Sequence, residues 1–332
     1  MKKLLCILLC IFSLSLSLSA CKTGGETVVR VNEVTHSVFY APLYLAIEKG
    51  FFLEEGITVE LTNGGGADKT MAALLSGSAD VAFCGPEAGI YVINEGKSDS
   101  PKVFGQLTKR DGSFLVGRTP QPDFKWTDLE GKTVIAGRTG GVPAMTFEYV
   151  VRKHGLKNGE SITLDNSVQF NLMGAAFEGG KGDYVTLFEP TASEYERAGK
   201  GYVVASVGEE SGEIPYTVFM ALTSYIAQNR HIVTKFLTAV QRAVIYVFAT
   251  DNETVAREIA PQFPATDVLS LSAAIESYKG IDAWMTSLAM TEDSLDRLQD
   301  VMEMAGELNE RVTLSQLADN TVAQEVYAAA MK

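Results

Sequence analysis

Residues 28–94 decide the fold: VVRVNEVTHSVFYAPLYLAIEKGFFLEEGITVELTNGGGADKTMAALLSGSADVAFCGPEAGIYVIN. Val28 to Val34 alternates apolar and polar side chains, which predicts a strand. Pro42 to Lys49 reads as a helix closed by Gly50, and Ile57 to Leu61 as a second strand. The glycines 64–66 follow, then a helix over Asp68 to Ser76. Ala79 to Phe83 is a third short strand ending at Cys84-Gly85-Pro86, and Ala88 to Asn94 a further helix. This β-α-β-α-β order, with loops after the strand ends, predicts a mainly parallel sheet flanked by helices.

Working outward, Phe104 to Arg118 reads as one long extended stretch. Thr133 to Ala136 is a strand, and Gly137 to Pro143 leads into a helix from Ala144 to His154. Ser161 to Leu164, Ala175 to Phe177, Asp183 to Phe188 and Tyr202 to Ser206 complete a second α/β unit. After a strand-like run over Thr217 to Thr223 the chain is mainly helical. Asn229 to Thr250 carries an apolar stripe from Ile232 to Val247 that predicts a core helix rather than a partner surface. The expected layout is a leader over 1–20, a tether over 21–26, a first lobe over 27–107, a second over 108–222, and a helical return to the first lobe over 223–332.

The leader itself carries Lys2 and Lys3, an apolar run, and then Leu18-Ser19-Ala20-Cys21. This resembles a bacterial lipoprotein signal, in which a small residue precedes a cysteine that receives lipid. The expectation is cleavage before Cys21 and attachment to the membrane through it. Two lysines leave with the leader, which takes the net charge from −13 to −15. Such an acidic chain is a poor match for nucleic acid. Of four cysteines only Cys84 stays inside the mature domain, so no internal disulfide and no cysteine-built zinc site is expected there.

The segment Thr35 to Ile57 resembles the periplasmic-binding-protein family that includes nitrate, sulfonate and taurine receptors and thiamine-pyrimidine receptors. Pro42, Ala46, Glu48, Gly50, Phe52, Glu55, Gly56, Ile57 and Val59 fill the family's pattern. Leu74 to Ala82, Phe124 to Thr133, and Gly182-Asp183 followed by Glu189-Pro190 match further family stretches in order. The resemblance implies a two-lobed α/β fold with two hinge crossings. It also implies a small-molecule ligand in the cleft and docking on an ABC permease with its ATPase. No cofactor, no metal and a monomeric receptor are expected.

Candidate ligand-binding residues sit after strand ends, where a parallel sheet presents groups to a cleft. His36, Ser37, Phe39 and Tyr40 offer an imidazole, a hydroxyl and aromatic faces. Gly65, Gly66 and Asp68 form the next loop, with Asp68 also a candidate helix cap. Gly85, Pro86 and Glu87 follow the third strand, and Glu87 either accepts from an amino group or favours a helix start. Gln106 and Arg110 lie near the first crossing. Arg138, Thr139, Gly140 and Gly141 open a helix in the second unit and suit an anion. Glu189 and Tyr216 complete the set. In the thiamine-pyrimidine branch an acid near Glu189 holds an aminopyrimidine, which the resemblance carries over to that residue.

Scattered histidines, with no Gly-x-Ser-x-Gly and no nucleotide fingerprint, leave no enzyme motif. The expected function is an importer's solute receptor, with a nitrogen heterocycle slightly favoured as ligand. The alternatives are a receptor for a small anion (sulfonate, taurine, nitrate or bicarbonate), a pyrimidine-synthesis enzyme of the same fold, and a ligand-sensing lipoprotein.

Overall fold

The computed structural model describes residues 27–332. The leader, the tether and Cys21 lie outside the described residues. Among the described residues, ten strands form two five-stranded sheets. They are β1 (Thr27–Glu33), β2 (Ile57–Asn63), β3 (Val81–Cys84), β4 (Pro101–Thr108), β5 (Ser113–Gly117), β6 (Thr133–Ile135), β7 (Thr163–Asp165), β8 (Tyr184–Phe188), β9 (Tyr202–Ser206) and β10 (Thr217–Leu222). The first sheet runs β2-β1-β3-β10-β4 and the second β7-β6-β8-β5-β9.

Each sheet is parallel except for one strand. β1 pairs in parallel with β2 and β3, while β10 runs antiparallel between β3 and β4. In the second sheet β6 pairs in parallel with β7 and β8, and β5 runs antiparallel between β8 and β9. The alternation read over 28–34 holds as far as Val31: Val29 and Val31 are buried and Val28 and Arg30 face solvent, but Asn32 and Glu33 are then both buried. The helix read over 42–49 is Ala41–Glu48, with Pro42 in its first turn, where a missing N–H costs nothing. Gly50 ends it at φ 70°, a conformation glycine takes freely.

The long extended stretch expected over 104–118 is two strands in different sheets. It divides at Asp111, whose carboxylate accepts from Ser113 N–H (2.7 Å) and Ser113 Oγ (2.6 Å) and so turns the chain. Residues 109–112 are therefore the first crossing between lobes. The return crossing is 212–216, and the two are joined: Ile214 N–H donates to Lys109 O (2.9 Å) and Tyr216 N–H to Thr108 O (3.1 Å). The expected second lobe of 108–222 includes β10, but β10 pairs in the first sheet, so sheet membership changes between Ser206 and Thr217.

The C-terminal helices chiefly cover the first lobe. Arg230–Ala249 packs on the helices Ala41–Glu48 and Thr321–Ala330, burying Phe236, Leu237, Val240 and Val244. It is long and apolar enough to cross a membrane, but its apolar stripe is core. Phe236 meets Phe52, Phe104 and Phe219, and Phe219 stacks on Phe83 at 4.4 Å. Burying each such ring is worth about 1.5–3 kcal/mol. Two of the later helices reach beyond the first lobe, which the layout expected of 223–332 did not include. Glu292–Ala305 packs on Val142–Lys153, and Val268–Gly280 on Thr191–Arg197.

Candidate functional site

A cavity of about 810 Å³ lies between the sheets. Val34 and Thr35 after β1, the loop from Asn63 after β2, and Gly85 and Glu87 after β3 form one wall. The other wall is the loop Arg138–Pro143 after β6, residues 169–171, and Phe188 at the end of β8. Tyr216 and Thr217 close the back, where the second crossing enters β10. Carboxyl ends of parallel strands from both sheets thus face one space, where open α/β sheets take ligands.

Of the residues anticipated from sequence, Tyr40, Gly65, Gly66, Asp68, Gly85, Glu87, Arg138, Thr139, Gly140, Gly141 and Tyr216 border this cavity. Three contacts tie the walls together. Arg138 Nη1 meets Asp68 Oδ1 at 3.3 Å, Tyr91 OH donates to Gly140 O at 2.9 Å, and Val142 N–H points at Glu87 Oε1 at 3.5 Å. Val142 belongs to the helix start read after Arg138, whereas Tyr91 was not anticipated. Tyr91 lies one helical turn after Glu87, so an i, i+4 reading from Glu87 would have found it.

Glu87 is 2% exposed. Burial raises its carboxyl to about 7, against the lowering pull of the N–H groups of Glu87, Val142 and Ala88. Its Oε2 has no hydrogen-bond partner among the described residues. Gly85 makes room for it, since a Cβ there would stand 1.9 Å from Oε2. Tyr40 packs edge-on to Phe83 at 4.5 Å and faces Thr217 Oγ1 at 3.4 Å. Burial pushes its phenol well up, as it does that of Tyr216. Tyr216 also faces Asp111 in the first crossing, a fully buried carboxyl raised by burial to about 7. Tyr216 OH and Asp111 Oδ2 each lack a hydrogen bond of ordinary geometry among the described residues.

The other anticipated residues serve the fold. His36 lies between the Tyr44 and Phe263 rings, its Nδ1 2.8 Å from Glu33 Oε1 and its Nε2 2.9 Å from Gln262 O. Both ring nitrogens face acceptors, which favours the protonated ring. Burial opposes that charge, but Glu33 and the Gln262 carbonyl outweigh it and the pKa rises. Ser37 caps the turn by accepting from Phe39 N–H, and Phe39 packs under Tyr278, Phe188 and Tyr216. Pro86 sits at the start of the helix Glu87–Asn94. Gln106 is buried in β4 and donates to Thr108 O, and Arg110 faces Glu213 and Asp282 beside the crossings.

Glu189, the acid expected to hold a ligand, is committed elsewhere. It precedes a cis peptide bond to Pro190. Its carboxylate accepts from Ser193 N–H (3.0 Å), Ser193 Oγ (2.7 Å) and Ser277 Oγ (3.2 Å). It caps the helix Thr191–Arg197 and ties it to Val268–Gly280. Strand alternation explains the miss, because the neighbouring Phe188 borders the cavity instead.

Residues 38–254 match the family model described as NMT1/THI5 like. The chain belongs to the NMT1/THI5-like family. The match spans both crossings and nearly all of the cavity wall, with only Val34 and Thr35 before it. A relative of this NMT1/THI5-like chain, the candidate binding protein YtlA of Bacillus subtilis strain 168, is 42% identical over 314 residues, covering 94% of each chain. Among solved structures, the periplasmic nitrate-binding protein NrtA of Synechocystis PCC 6803 has a TM-score of 0.74 at 16% identity, covering 92% of this chain and 89% of its own. The alkanesulfonate-binding protein SsuA of Xanthomonas axonopodis pv. citri, bound to MOPS, has a TM-score of 0.72 at 16% identity, covering 89% and 99%. The desulfurization enzyme DSZB shares the fold as well, with a TM-score of 0.62 at 16% identity over 92% and 99%. At such identities the likeness carries the two-lobed α/β fold and no ligand.

Proposed function

We propose that this NMT1/THI5-like protein is the extracytoplasmic solute-binding component of an ABC importer. It is tethered through a lipidated Cys21, works as a monomer, and delivers its ligand to the permease and its ATPase. It binds by closing two lobes and carries out no chemistry. The observation that supports this most is the set of three contacts, Asp68–Arg138, Tyr91–Gly140 and Glu87–Val142, that join opposite walls around a chamber of small-molecule size. Hinge closure about two short crossings is a known way to enclose a ligand. The 42% identity to a candidate binding protein over nearly the whole chain supports the same class.

A small, partly planar nitrogen compound, such as a thiamine-precursor pyrimidine, is the favoured ligand. Tyr40, Phe188 and Tyr216 supply aromatic faces, and Glu87 supplies an acceptor. A small anion is less well served. The Arg138 guanidinium is already answered by Asp68, and a buried carboxyl stands deeper in the chamber.

A thermal-shift panel of aminopyrimidines, riboflavin, sulfonates, nitrate and bicarbonate finds the class, because a ligand that binds the folded state raises apparent stability. Small-angle scattering should then show compaction with the hit, and mass spectrometry should recover the hit unchanged. A converted product would favour the enzyme reading instead. Cys21→Ala should release the protein from membranes, and full membrane retention of that variant would end the lipid-anchor reading.

A further inference from the structure

Among the described residues three acids border the cavity, and two of them are engaged. Asp68 meets Arg138 at 3.3 Å, and Glu95 lies 3.4 Å from Lys97. Both sit toward solvent, with side chains 62% and 61% exposed. Glu87 differs on each count. It is buried, it has no cation within ion-pair distance among the described residues, and its Oε2 has no hydrogen bond. A carboxylate that served only to favour a helix start would do so from the surface, where acids ordinarily lie. Burying one with an unfilled acceptor costs free energy that a ligand donor can recover. Gly85 keeps the space that the carboxylate occupies, and Val142 N–H approaches its other oxygen from the facing lobe.

We propose that Glu87 is the specificity-determining residue of the cleft: Oε2 accepts an N–H from a ligand with a donor edge, an amine or aminoheterocycle, while Oε1 turns to Val142 N–H on the opposite lobe. One side chain then reads the ligand and links that reading to closure. The aromatic groups near it, Tyr40 and Tyr216, fit a flat donor-bearing ring better than an oxyanion. The inference rests on the solute-receptor reading and adds the determinant to it. The value of about 7 to which burial raises the carboxyl fixes the working condition, since above it the carboxylate form is the acceptor.

The test is calorimetric titration at pH 8 of wild type, Glu87→Gln, Glu87→Ala and Glu189→Gln. The probes are 4-aminopyrimidine, its N–H-free isostere 4-methylpyrimidine, methanesulfonate and nitrate. Wild type should prefer the amino probe over the methyl probe by roughly ten- to a hundredfold, the range of one charge-assisted hydrogen bond. Glu87→Gln should weaken the amino probe at least tenfold and bring the two pyrimidines close to parity. Glu87→Ala should do the same, and thermal unfolding confirms that both variants fold. Glu189→Gln should bind like wild type. Equal binding of the amino probe by wild type and Glu87→Gln overturns the inference and leaves the receptor reading standing. So does a wild type that takes only methanesulfonate or nitrate. A wild type that binds no probe overturns the favoured ligand class and the inference together.

Discussion

The Arg138 guanidinium meets the Asp68 carboxylate at 3.3 Å across the mouth of the cleft, one residue from each lobe. In the proposed lobe closure the pair acts as a closure contact. Its side chains are 34% and 62% exposed, so solvent screens it, and an exposed pair is worth about 0.2–1 kcal/mol. Arg138→Ala or Asp68→Asn should therefore favour the open form by a factor of about 1.5 to 5. Small-angle scattering of the ligand-free variants should show a larger radius of gyration than wild type, and high salt should bring wild type toward them. An unchanged radius in both variants would remove the pair from closure.

Glu189→Gln should lower stability and leave affinity alone. The carboxylate accepts three hydrogen bonds from Ser193 and Ser277, and it borders no part of the cavity. A glutamine amide keeps one acceptor oxygen and turns a donor toward the other partner. Losing a charge-assisted bond at a buried group costs about 1.5–3 kcal/mol. Urea unfolding measures that loss. A tenfold loss of ligand affinity in a folded Glu189→Gln protein would return this residue to the site.

The order of elements was legible because hydrophobic period and glycine punctuation are local. Val28–Val34 and Pro42–Gly50 read correctly to within a residue or two. The crossings were less legible. The polar run Lys109-Arg110-Asp111-Gly112 interrupts the stretch read as continuous over 104–118, and the Asp111 turn within it marks where one sheet ends. In the site, loops following β2, β3 and β6 could be read from topology, because strand ends in such sheets converge. Glu189 could not, since a one-residue step on β8 exchanges cavity for helix cap. Glu87's burial also came only from the fold. In sequence it is one more acid at a helix start, and its surroundings arrive from β10, from Val142 and from Tyr40.

Stability should fall as pH rises from about 4 to above 7. Glu87 and Asp111 are both raised by burial to about 7, from ordinary values of 4.5 and 3.8. The folded state holds protons there that the unfolded chain has released, so each group loses stability across that interval and levels off above it. Each shift corresponds to an order of 3 kcal/mol. His36 acts in the same sense. Its pKa is raised above 6.5, so its contribution is full below 6.5 and disappears as pH climbs through the folded value. Asp165, lowered to about 2 by Lys181 and Ser167, contributes above its ordinary value and loses that only below pH 4. Urea unfolding at pH 5 and pH 8 should show the lower midpoint at pH 8, and Asp111→Asn should flatten the difference. Equal midpoints for wild type, or an unchanged difference in Asp111→Asn, would contradict the assignment.

Two glycine-to-alanine changes should move stability in opposite directions. Gly208 lies in the short helix Val207–Ser211, against the first crossing. A Cβ there would stand 2.1 Å from Asp111 O and 3.3 Å from Arg110 Cβ, and a backbone carbonyl cannot swing aside as a side-chain end can. Gly208→Ala must therefore push the crossing from its place beside Tyr216, at a cost of about 1–3 kcal/mol or more for overpacking. Gly280 ends the helix Val268–Gly280 with nothing within 4 Å of its Cβ position. Alanine there removes unfolded-chain freedom without a clash and should add about 0.4–1 kcal/mol. The pair separates steric fit from the generic effect of losing a glycine. Because Gly208 touches the hinge, Gly208→Ala should also alter ligand-induced compaction in scattering, while Gly280→Ala should leave it as in wild type. A Gly208→Ala protein as stable as wild type, with normal compaction, would mean that helix 207–211 does not pack on the crossing.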